Sequence, residues 1–205
     1  MPVNYSGLIL DFGGVVTTDF YAALSAFCVR EGLSPGAFVH ALRDTSEGRD
    51  ALAAVESGQI SQRAYEQVIG RLLGVDDCGL VARALADLRP RPEIADLVSR
   101  ARTAGVRAAA LSNSWGTGDC DPYDGYGLDG LFDAVVISDQ VGHRKPDPAI
   151  YLLTASKIGI PPDACLFVDD TTANLPAAQE LGMGIFHFTG AEGEVAAIER
   201  LIGIL

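Results

Sequence analysis

Residues 8–18 read LILDFGGVVTT, and this stretch decides how the chain folds. The apolar run that starts at Leu8 predicts a buried β-strand that ends at Asp11. Gly13 and Gly14 follow, and glycine allows the backbone to turn sharply and to approach a ligand closely. A lone aspartate in such a place is most often a helix cap or a turn former. The stretch therefore predicts one strand with a polar group at its carboxyl end.

Helical spacing alone follows this strand, from residue 17 to residue 88. Apolar residues recur at helical intervals in segments 20–30, 35–43, 62–73 and 80–88. From Pro92 onward, strands alternate with helices. The predicted strands are 106–111, 134–138, 165–168 and 184–188, and the helices after the one at Pro92 lie near 149–157, 174–181 and 195–202. This alternation predicts an α/β fold with a doubly wound, parallel, five-stranded sheet and a small helical bundle inserted after the first strand.

Polar residues follow most of the predicted strands, where a doubly wound sheet binds its ligands. They are Asp11, Ser112 and Asn113, Ser138 and Asp139, and Asp169 and Asp170. We therefore expect a site at this edge of the sheet. The last strand reaches His187, which we expect, like His40, to be structural.

Two of these strand ends and one basic segment suggest phosphate and metal chemistry. Ser112 and Asn113 could hydrogen-bond an oxyanion, or they could cap a helix or close a turn. Lys145 belongs to the basic segment HRKPDP, which would suit a phosphoryl oxygen or form a solvated loop. Asp169 and Asp170 offer the hard oxygen ligands that Mg²⁺ prefers, although carboxylates at a helix start are also common.

Together these motifs resemble those of the haloacid dehalogenase (HAD) superfamily, in the same order and across nearly the whole chain. The matching positions are Asp11 with Gly13, Ser112, Lys145, and the pair Asp169 and Asp170. The resemblance implies a Rossmann-like core of residues 1–16 and 89–205, with a helical cap at 17–88 that closes over the substrate and sets specificity. It also implies that the first strand lies next to the fourth, which would bring Asp11 and Asp170 together.

The same resemblance implies a mechanism. The Asp11 carboxylate would attack phosphorus, and water would hydrolyse the resulting aspartyl phosphate. The ligands of Mg²⁺ would be the Asp11 side chain, the backbone carbonyl of Gly13 and the Asp170 side chain. Asp169 would be either a further ligand or a residue directly behind the ligands. The phosphoryl oxygens would be held by Ser112 and Lys145, with help from Asn113. We therefore expect a Mg²⁺-dependent phosphatase that acts on small phosphorylated metabolites.

Gly13 departs from the pattern of typical phosphatases in this family, which carry an aspartate there as general acid and base. A backbone carbonyl can still bind metal, but the proton donor is missing, and such a group contributes about 10²- to 10⁴-fold in rate. Some relatives also have glycine here, including the group that resembles the amino-terminal domains of epoxide hydrolases. We therefore expect slow turnover of alkyl phosphates and faster turnover of esters with good leaving groups.

Two other functions stay open from the sequence. A 2-haloacid dehalogenase would use the same aspartate to attack carbon and would need no leaving-group acid. Family dehalogenases, however, tend to have an aromatic residue at position 13 and an early arginine, whereas the residues around Asp19 offer no cation. A noncatalytic binding or regulatory domain could keep the phosphate pocket without efficient chemistry, although the intact Asp11, Lys145 and Asp170 argue against it.

Composition limits the remaining classes of protein. With 48% hydrophobic residues and a net charge of −12, the chain is expected to fold and to bind neither nucleic acid nor anionic lipid. No apolar run reaches the ~18 residues of a membrane span, and the first residues lack a signal-peptide pattern, so we expect a cytoplasmic protein. Cys28, Cys78, Cys120 and Cys165 have neither zinc-site nor disulfide spacing and are expected to be reduced. No pattern specifies an oligomeric state.

The segment 115–127 is rich in Gly, Asp and Tyr and is predicted to be a surface loop next to the second motif. Trp115 opens this segment. Its side chain could line the pocket or serve packing only, and the sequence leaves both interpretations open.

Overall fold

The computed structural model describes residues 4–205, which form a five-stranded parallel sheet. Its strands are β1 (Gly7–Asp11), β2 (Arg107–Ser112), β3 (Ala134–Ile137), β4 (Cys165–Asp169) and β5 (Gly184–His187). Their order is β3-β2-β1-β4-β5, so that β1 lies between β2 and β4. The predicted doubly wound sheet is confirmed, including the neighbouring first and fourth strands. Residues 1–3 of the predicted core lie outside the described residues.

The segment after β1 folds into helices, as predicted. They are α1 (Phe20–Arg30), α2 (Ala37–Asp44), α3 (Ser46–Glu56), α4 (Gln62–Leu73) and α5 (Leu80–Ala84). The bounds of α1 and α4 match the prediction, whereas α5 ends at Ala84 and not at residue 88. The sequence pattern does not predict α3. This helix has an N-cap, Thr45, but its buried positions include the small Gly48 and Ala51, which give only a weak apolar pattern.

The remaining helices cover the two faces of the sheet. They are α6 (Pro92–Thr103), α7 (Leu128–Leu131), α8 (Ser138–Val141), α9 (Pro148–Ile158), α10 (Leu175–Glu180) and α11 (Glu194–Leu201). Side chains alternate between the faces of a strand, so Leu8 and Leu10 pack on the side of α6 and α11, while Ile9 packs on the side of α9 and α10. Both faces are buried, which explains why the strands are continuous apolar runs in the sequence.

Helices α1–α5, which we call the cap, have an apolar cluster of their own around Phe38. Trp115, from the segment after β2, also belongs to this cluster. The two connections between cap and sheet run side by side, with Thr17 opposite Pro90. We propose that α1–α5 form the cap expected at 17–88, and its two boundary residues stay predictions.

The carboxyl ends of β1, β2 and β4 meet at one edge of the sheet. Asp11 is in register with Leu111 on β2, and Leu10 is in register with Val168 on β4. The chain builds the sheet from β1 through β3 on one side and then crosses to β4 on the other side of β1. In open α/β sheets, ligands bind at the point where the strand order reverses. The residues that follow β1 and β4 therefore lie where such a sheet binds its ligands.

Candidate active site

A cavity of about 300 Å³ opens beyond this edge of the sheet, between the core and the cap. Its core wall carries six predicted site residues: Asp11, Gly13, Ser112, Asn113, Lys145 and Asp170. Its cap wall is mostly apolar and includes Phe20, Val39, Leu42, Leu52 and Leu85, together with the charged Arg43 and Glu56. A cavity of this size can hold a small metabolite.

Lys145 lies at the centre of the core wall, with a side chain that is only 2% exposed. Its Nζ donates hydrogen bonds to Asp11 Oδ1 at 2.5 Å, to Asp169 Oδ2 at 2.8 Å and to the Leu111 carbonyl oxygen at 3.2 Å. Burial opposes the charge of the ammonium group, but the two carboxylates outweigh burial and raise the pKa of Lys145. The lysine is therefore a fixed cation that joins β1 to β4.

Asp11, the last residue of β1, is buried beside this cation. Burial raises the pKa of the Asp11 carboxyl, Lys145 lowers it, and the nearby Asp169 and Asp170 raise it again. The net direction is upward, because burial outweighs the attraction of the ammonium group and the two neighbouring carboxylates add to the rise. An additional cation at this place would favour the ionised, nucleophilic form of Asp11.

Asp11, Asp169 and Asp170 form the acidic group that could hold such a cation. Within residues 4–205, one carboxylate oxygen from each of the three lies within 4.8 Å of the others. Oxygen donors of this kind fit Mg²⁺. Burial, followed by the charge of Asp169, raises the pKa of Asp170 to about 6. The cluster thus has more negative charge than Lys145 alone offsets.

The hydrogen bonds of Asp169 distinguish it from the other two carboxylates. Asp169 is fully buried, and its Oδ2 accepts from both Lys145 Nζ and Asn174 Nδ2, the latter at 3.0 Å. Its Oδ1 accepts from the Thr171 N–H at 2.7 Å. Of the two roles that the sequence leaves open, these bonds favour a place behind the metal ligands, where Asp169 orients Lys145.

Ser112 and Asn113, at the end of β2, complete the core wall. Ser112 Oγ accepts a hydrogen bond from the Tyr123 hydroxyl at 2.9 Å. The Asn113 side chain accepts from the Lys145 N–H at 2.8 Å and donates to the Lys145 carbonyl oxygen at 3.0 Å. Asn113 therefore holds the loop that carries Lys145, and its expected contact with phosphate stays a prediction.

Comparison with known proteins identifies the family of this chain. The sequence model for haloacid dehalogenase-like hydrolases matches residues 5–182. The chain belongs to this family. Protein CbbY of Cereibacter sphaeroides is 32% identical over 58% of this chain and 54% of its own length. Fructose-1-phosphate phosphatase YqaB of Escherichia coli is 42% identical over 28% of this chain and 30% of its own length.

This HAD-like hydrolase also has solved structural relatives. A HAD family enzyme from Bacteroides thetaiotaomicron, solved in complex with magnesium and inorganic phosphate, superposes with a TM-score of 0.67 at 23% identity. The match covers 91% of this chain and 95% of that enzyme. The chain spans about half or less of the length of the curated relatives it matches. Across residues 4–205, no helix combines the length and apolar character needed to cross a membrane.

Glu56, the last residue of α3, faces the candidate site, and sequence reasoning misses it. Its side chain is only 8% exposed, lines the cavity, and forms an ion pair with Arg144 Nε at 2.5 Å. Asn113 Nδ2 also donates to Glu56 Oε2, at 3.4 Å. No motif marks this glutamate in the sequence. Since helical periodicity does not reveal α3 itself, only the three-dimensional contact between cap and core identifies it.

Trp115 both lines the cavity and packs within the cap, the two roles that the sequence leaves open. The indole lines the cavity and is also packed among the rings of the cap. It stacks on Phe38 with ring centroids 5.5 Å apart, packs edge to face with Phe20, and lies at a tilt of 45° to Tyr65. Gln62, at the start of α4, donates to the Gly116 carbonyl oxygen at 2.8 Å. The loop after β2 is therefore bound to the cap as well as to the sheet.

The remaining candidates lie away from the cluster or support it through the backbone. His40 is exposed and pairs with Asp44 at 2.7 Å. His187 Nε2 lies 3.1 Å from the carbonyl oxygen of Asp170 and so contacts the backbone beside the acidic group. Ser138 Oγ accepts from the Ser114 N–H at 2.9 Å. The four cysteines are free thiols.

The turn between β1 and the cap brings the backbone against Asp170. Gly13 has φ −74° and ψ 113°, which any residue can adopt, whereas Gly14 has φ +92°. A Cβ atom at Gly14 would overlap the carboxylate of Asp170. Glycine at position 14 is therefore required both by the backbone conformation and by the close approach to a candidate metal ligand.

Gly14→Ala is expected to weaken Mg²⁺ binding roughly 10- to 100-fold, because the new methyl group displaces Asp170. Gly32→Ala is the matched control, since Gly32 also has a positive φ but has no atom near its Cβ position. Both variants should lose about 1–2 kcal/mol of folding free energy from the left-handed conformation. Urea unfolding and calorimetric Mg²⁺ titration separate the two effects. Equal Mg²⁺ affinity in both variants would contradict the role of Gly14.

Proposed function

We propose that this HAD-like hydrolase is a Mg²⁺-dependent phosphatase of small phosphorylated metabolites, and that Asp11 is its nucleophile. One observation carries the proposal: Asp11 faces a cavity, is bound to a buried lysine, and shares an acidic cluster with Asp170. The phosphatase activity of YqaB and the magnesium and phosphate in the Bacteroides enzyme support the substrate class and the metal.

The residues present fit Mg²⁺, since the cluster offers carboxylate oxygens and has excess negative charge. Asp11, Asp170 and the backbone carbonyl of Gly13 would hold the ion, with Asp169 behind them. When bound, Mg²⁺ would offset negative charge on the phosphoryl oxygens and on the carboxylates around them.

The reaction itself uses the side chains of the core wall. An Asp11 oxygen attacks phosphorus, the ester bond breaks, and an aspartyl phosphate forms on Asp11. Lys145 and the Ser112 hydroxyl would donate hydrogen bonds to phosphoryl oxygens, each in place of a bond that it makes now: the serine proton points to the Asn113 carbonyl oxygen at 3.3 Å, and Lys145 Nζ has three protein partners. Tyr123 donates to the Ser112 oxygen and so leaves the serine hydroxyl as the donor. Water then attacks phosphorus, which releases phosphate and restores the Asp11 carboxylate. The apolar cap wall accommodates the organic part of the substrate.

The function is tested by hydrolysis of para-nitrophenyl phosphate, n-butyl phosphate and a panel of phosphorylated metabolites, each with Mg²⁺ and with a chelator. Turnover that depends on Mg²⁺ supports the proposal. Halide release from chloroacetate that a chelator does not affect would instead support a dehalogenase. Binding of Mg²⁺ and phosphate without turnover of any ester would support a noncatalytic domain.

Gly13→Asp is expected to raise kcat for n-butyl phosphate by no more than roughly tenfold, because it places a proton donor directly beside the nucleophile. The backbone at Gly13 admits the change, and its new Cβ would lie 3.4 Å from the Phe20 ring, an ordinary contact. Gly36→Asp, at an open position of the cap, is the control and should leave the rate unchanged. An unchanged or lower rate in a folded Gly13→Asp protein would contradict the expected gain from a proton donor at position 13.

A further inference from the structure

The cavity contains one carboxyl group, that of Glu56, that has no role in the proposed reaction. Among the described residues, the carboxyl side chains that line the cavity are Asp11, Asp170 and Glu56. Asp11 and Asp170 belong to the acidic cluster, whereas Glu56 comes from the cap. Glycine at position 13 leaves the proposed reaction without a proton donor for the leaving group, so the remaining carboxyl is the natural candidate.

We infer that Glu56 donates the proton to the leaving-group oxygen and later accepts a proton from the attacking water. This inference rests on the proposed phosphatase function. It assigns to the cap a step that the usual members of the family perform with a residue beside the nucleophile.

The surroundings of Glu56 fit such a task. Its Oε2 is fixed by Arg144 and Asn113, while its Oε1 accepts no hydrogen bond from residues 4–205 and can carry a proton. Burial raises the pKa of Glu56 to about 7, although Arg144 and Lys145 both oppose the rise. Burial, followed by the charge of Glu56, raises the pKa of the buried Tyr65 phenol, so that it stays neutral. A carboxyl with a pKa near neutrality can act as both acid and base.

The position of Glu56 over the core is also fixed. Gly58, two residues later, has φ +70°, and a Cβ atom there would overlap the carbonyl oxygen of Asp139 on α8. Four residues further on, Gln62 binds the loop after β2. The end of α3 and the turn after it therefore contact the core at two separate points. Because the phosphoryl group would sit against Lys145, the leaving oxygen would lie on the cap side, where Glu56 is found.

The proposed steps balance in atoms and charge. As Asp11 bonds to phosphorus, the bond from phosphorus to the ester oxygen breaks, and that oxygen takes the proton from Glu56 Oε1. The alcohol leaves, and Glu56 is ionised. A water molecule then bonds to phosphorus as the bond to Asp11 breaks, and Glu56 takes the proton that this water loses. Both carboxyl groups return to their starting states.

Glu56→Gln tests the inference, because the amide oxygen can still accept from Arg144 and Asn113 but the side chain cannot donate a carboxyl proton. We expect kcat for n-butyl phosphate to fall roughly 10²-fold, and kcat for para-nitrophenyl phosphate to fall less than about threefold, since nitrophenolate needs no proton to leave. Adding Gly13→Asp to this variant should restore the n-butyl phosphate rate. Glu47→Gln, at the exposed start of the same helix, is the control and should change neither rate.

The outcomes separate the possible failures. Equal losses on both esters, or a rise in KM alone, would show that Glu56 only seats the cap, and would overturn the inference while the phosphatase function stands. If Glu56→Gln does not fold, Glu56→Asp keeps the charge that pairs with Arg144 and shortens its reach; a selective loss on n-butyl phosphate supports the inference, and an equal loss overturns it. Failure of the native protein to hydrolyse either ester would overturn the proposed function and the role of Glu56 together.

Discussion

Asp11→Asn is expected to lower the hydrolysis of para-nitrophenyl phosphate by roughly 10⁴- to 10⁶-fold, as the loss of a nucleophile does in other covalent catalysts. The carboxamide cannot form the acyl phosphate, and it also removes one negative charge from the acidic cluster. The fold should survive, since Lys145 keeps its bonds to Asp169 and to the Leu111 carbonyl oxygen. Steady-state assays with Mg²⁺, together with acid-quench trapping of a phosphorylated protein, measure the effect.

Asp129→Asn is the matched control, because Asp129 lies on the exposed first turn of α7, outside the cavity. It should retain the native rate. Trapped phosphoprotein is expected in the native chain and in Asp129→Asn, and not in Asp11→Asn. Activity of Asp11→Asn within about tenfold of the native rate would remove Asp11 as the nucleophile.

Lys145→Met is expected to reduce the free energy of unfolding by about 3–5 kcal/mol when no divalent cation is present. Methionine has a similar length and fills the space beside Phe167, so the loss comes from charge and not from a cavity. Without the ammonium group, Asp11 and Asp169 are left buried without a cationic partner. Urea unfolding with a chelator measures the difference.

Mg²⁺ and pH should both change the stability deficit of Lys145→Met, which is its loss of unfolding free energy relative to the native protein. Added Mg²⁺ should reduce it, because the ion offsets the same carboxylates. Burial raises the pKa of Asp11 to about 8, so the native folded state loses stability as the pH rises from 3.8 to about 8. Without Lys145 this pKa is higher still, and the loss continues above about pH 8. The deficit should therefore shrink as the pH falls. Lys157→Met, at the other lysine of the chain and exposed on α9, is the control, and an equal loss in both variants would contradict the buried ion pair.

The sequence predicts the sheet well for a physical reason. Strands buried on both faces are continuous apolar runs that end where the chain meets solvent or a site, as β1 does at Asp11 and β4 does at Asp169. Helices that combine an N-cap with large apolar residues at helical spacing are predicted equally well: Asp19 caps α1 and Ser61 caps α4. In contrast, α3 has small buried residues, and its weak apolar pattern does not identify it.

The residues of the candidate site likewise differ in whether the sequence reveals them. Asp11, Lys145 and Asp170 can be found from the sequence because each follows a strand or precedes a helix, where local pattern and motif agree. Glu56 cannot be found, since its contact with Asn113 joins residues 57 positions apart and depends on how α3 sits on the core. The two hydrogen bonds between the Asn113 side chain and the backbone of Lys145 are likewise tertiary contacts that the sequence pattern does not reveal.

The position of Trp115 connects the core and the cap, because a residue that follows a core strand packs inside the cap. The helices of the cap surround an indole that the chain supplies only after β2, and this is the sole tryptophan of the protein. A fragment cut at the two ends of the cap would have a gap of indole size among its rings. In the intact chain, an outward swing of the cap must either move those rings away from the tryptophan or carry the loop after β2 with it. A change in the native tryptophan fluorescence would identify the first of these motions without an added label.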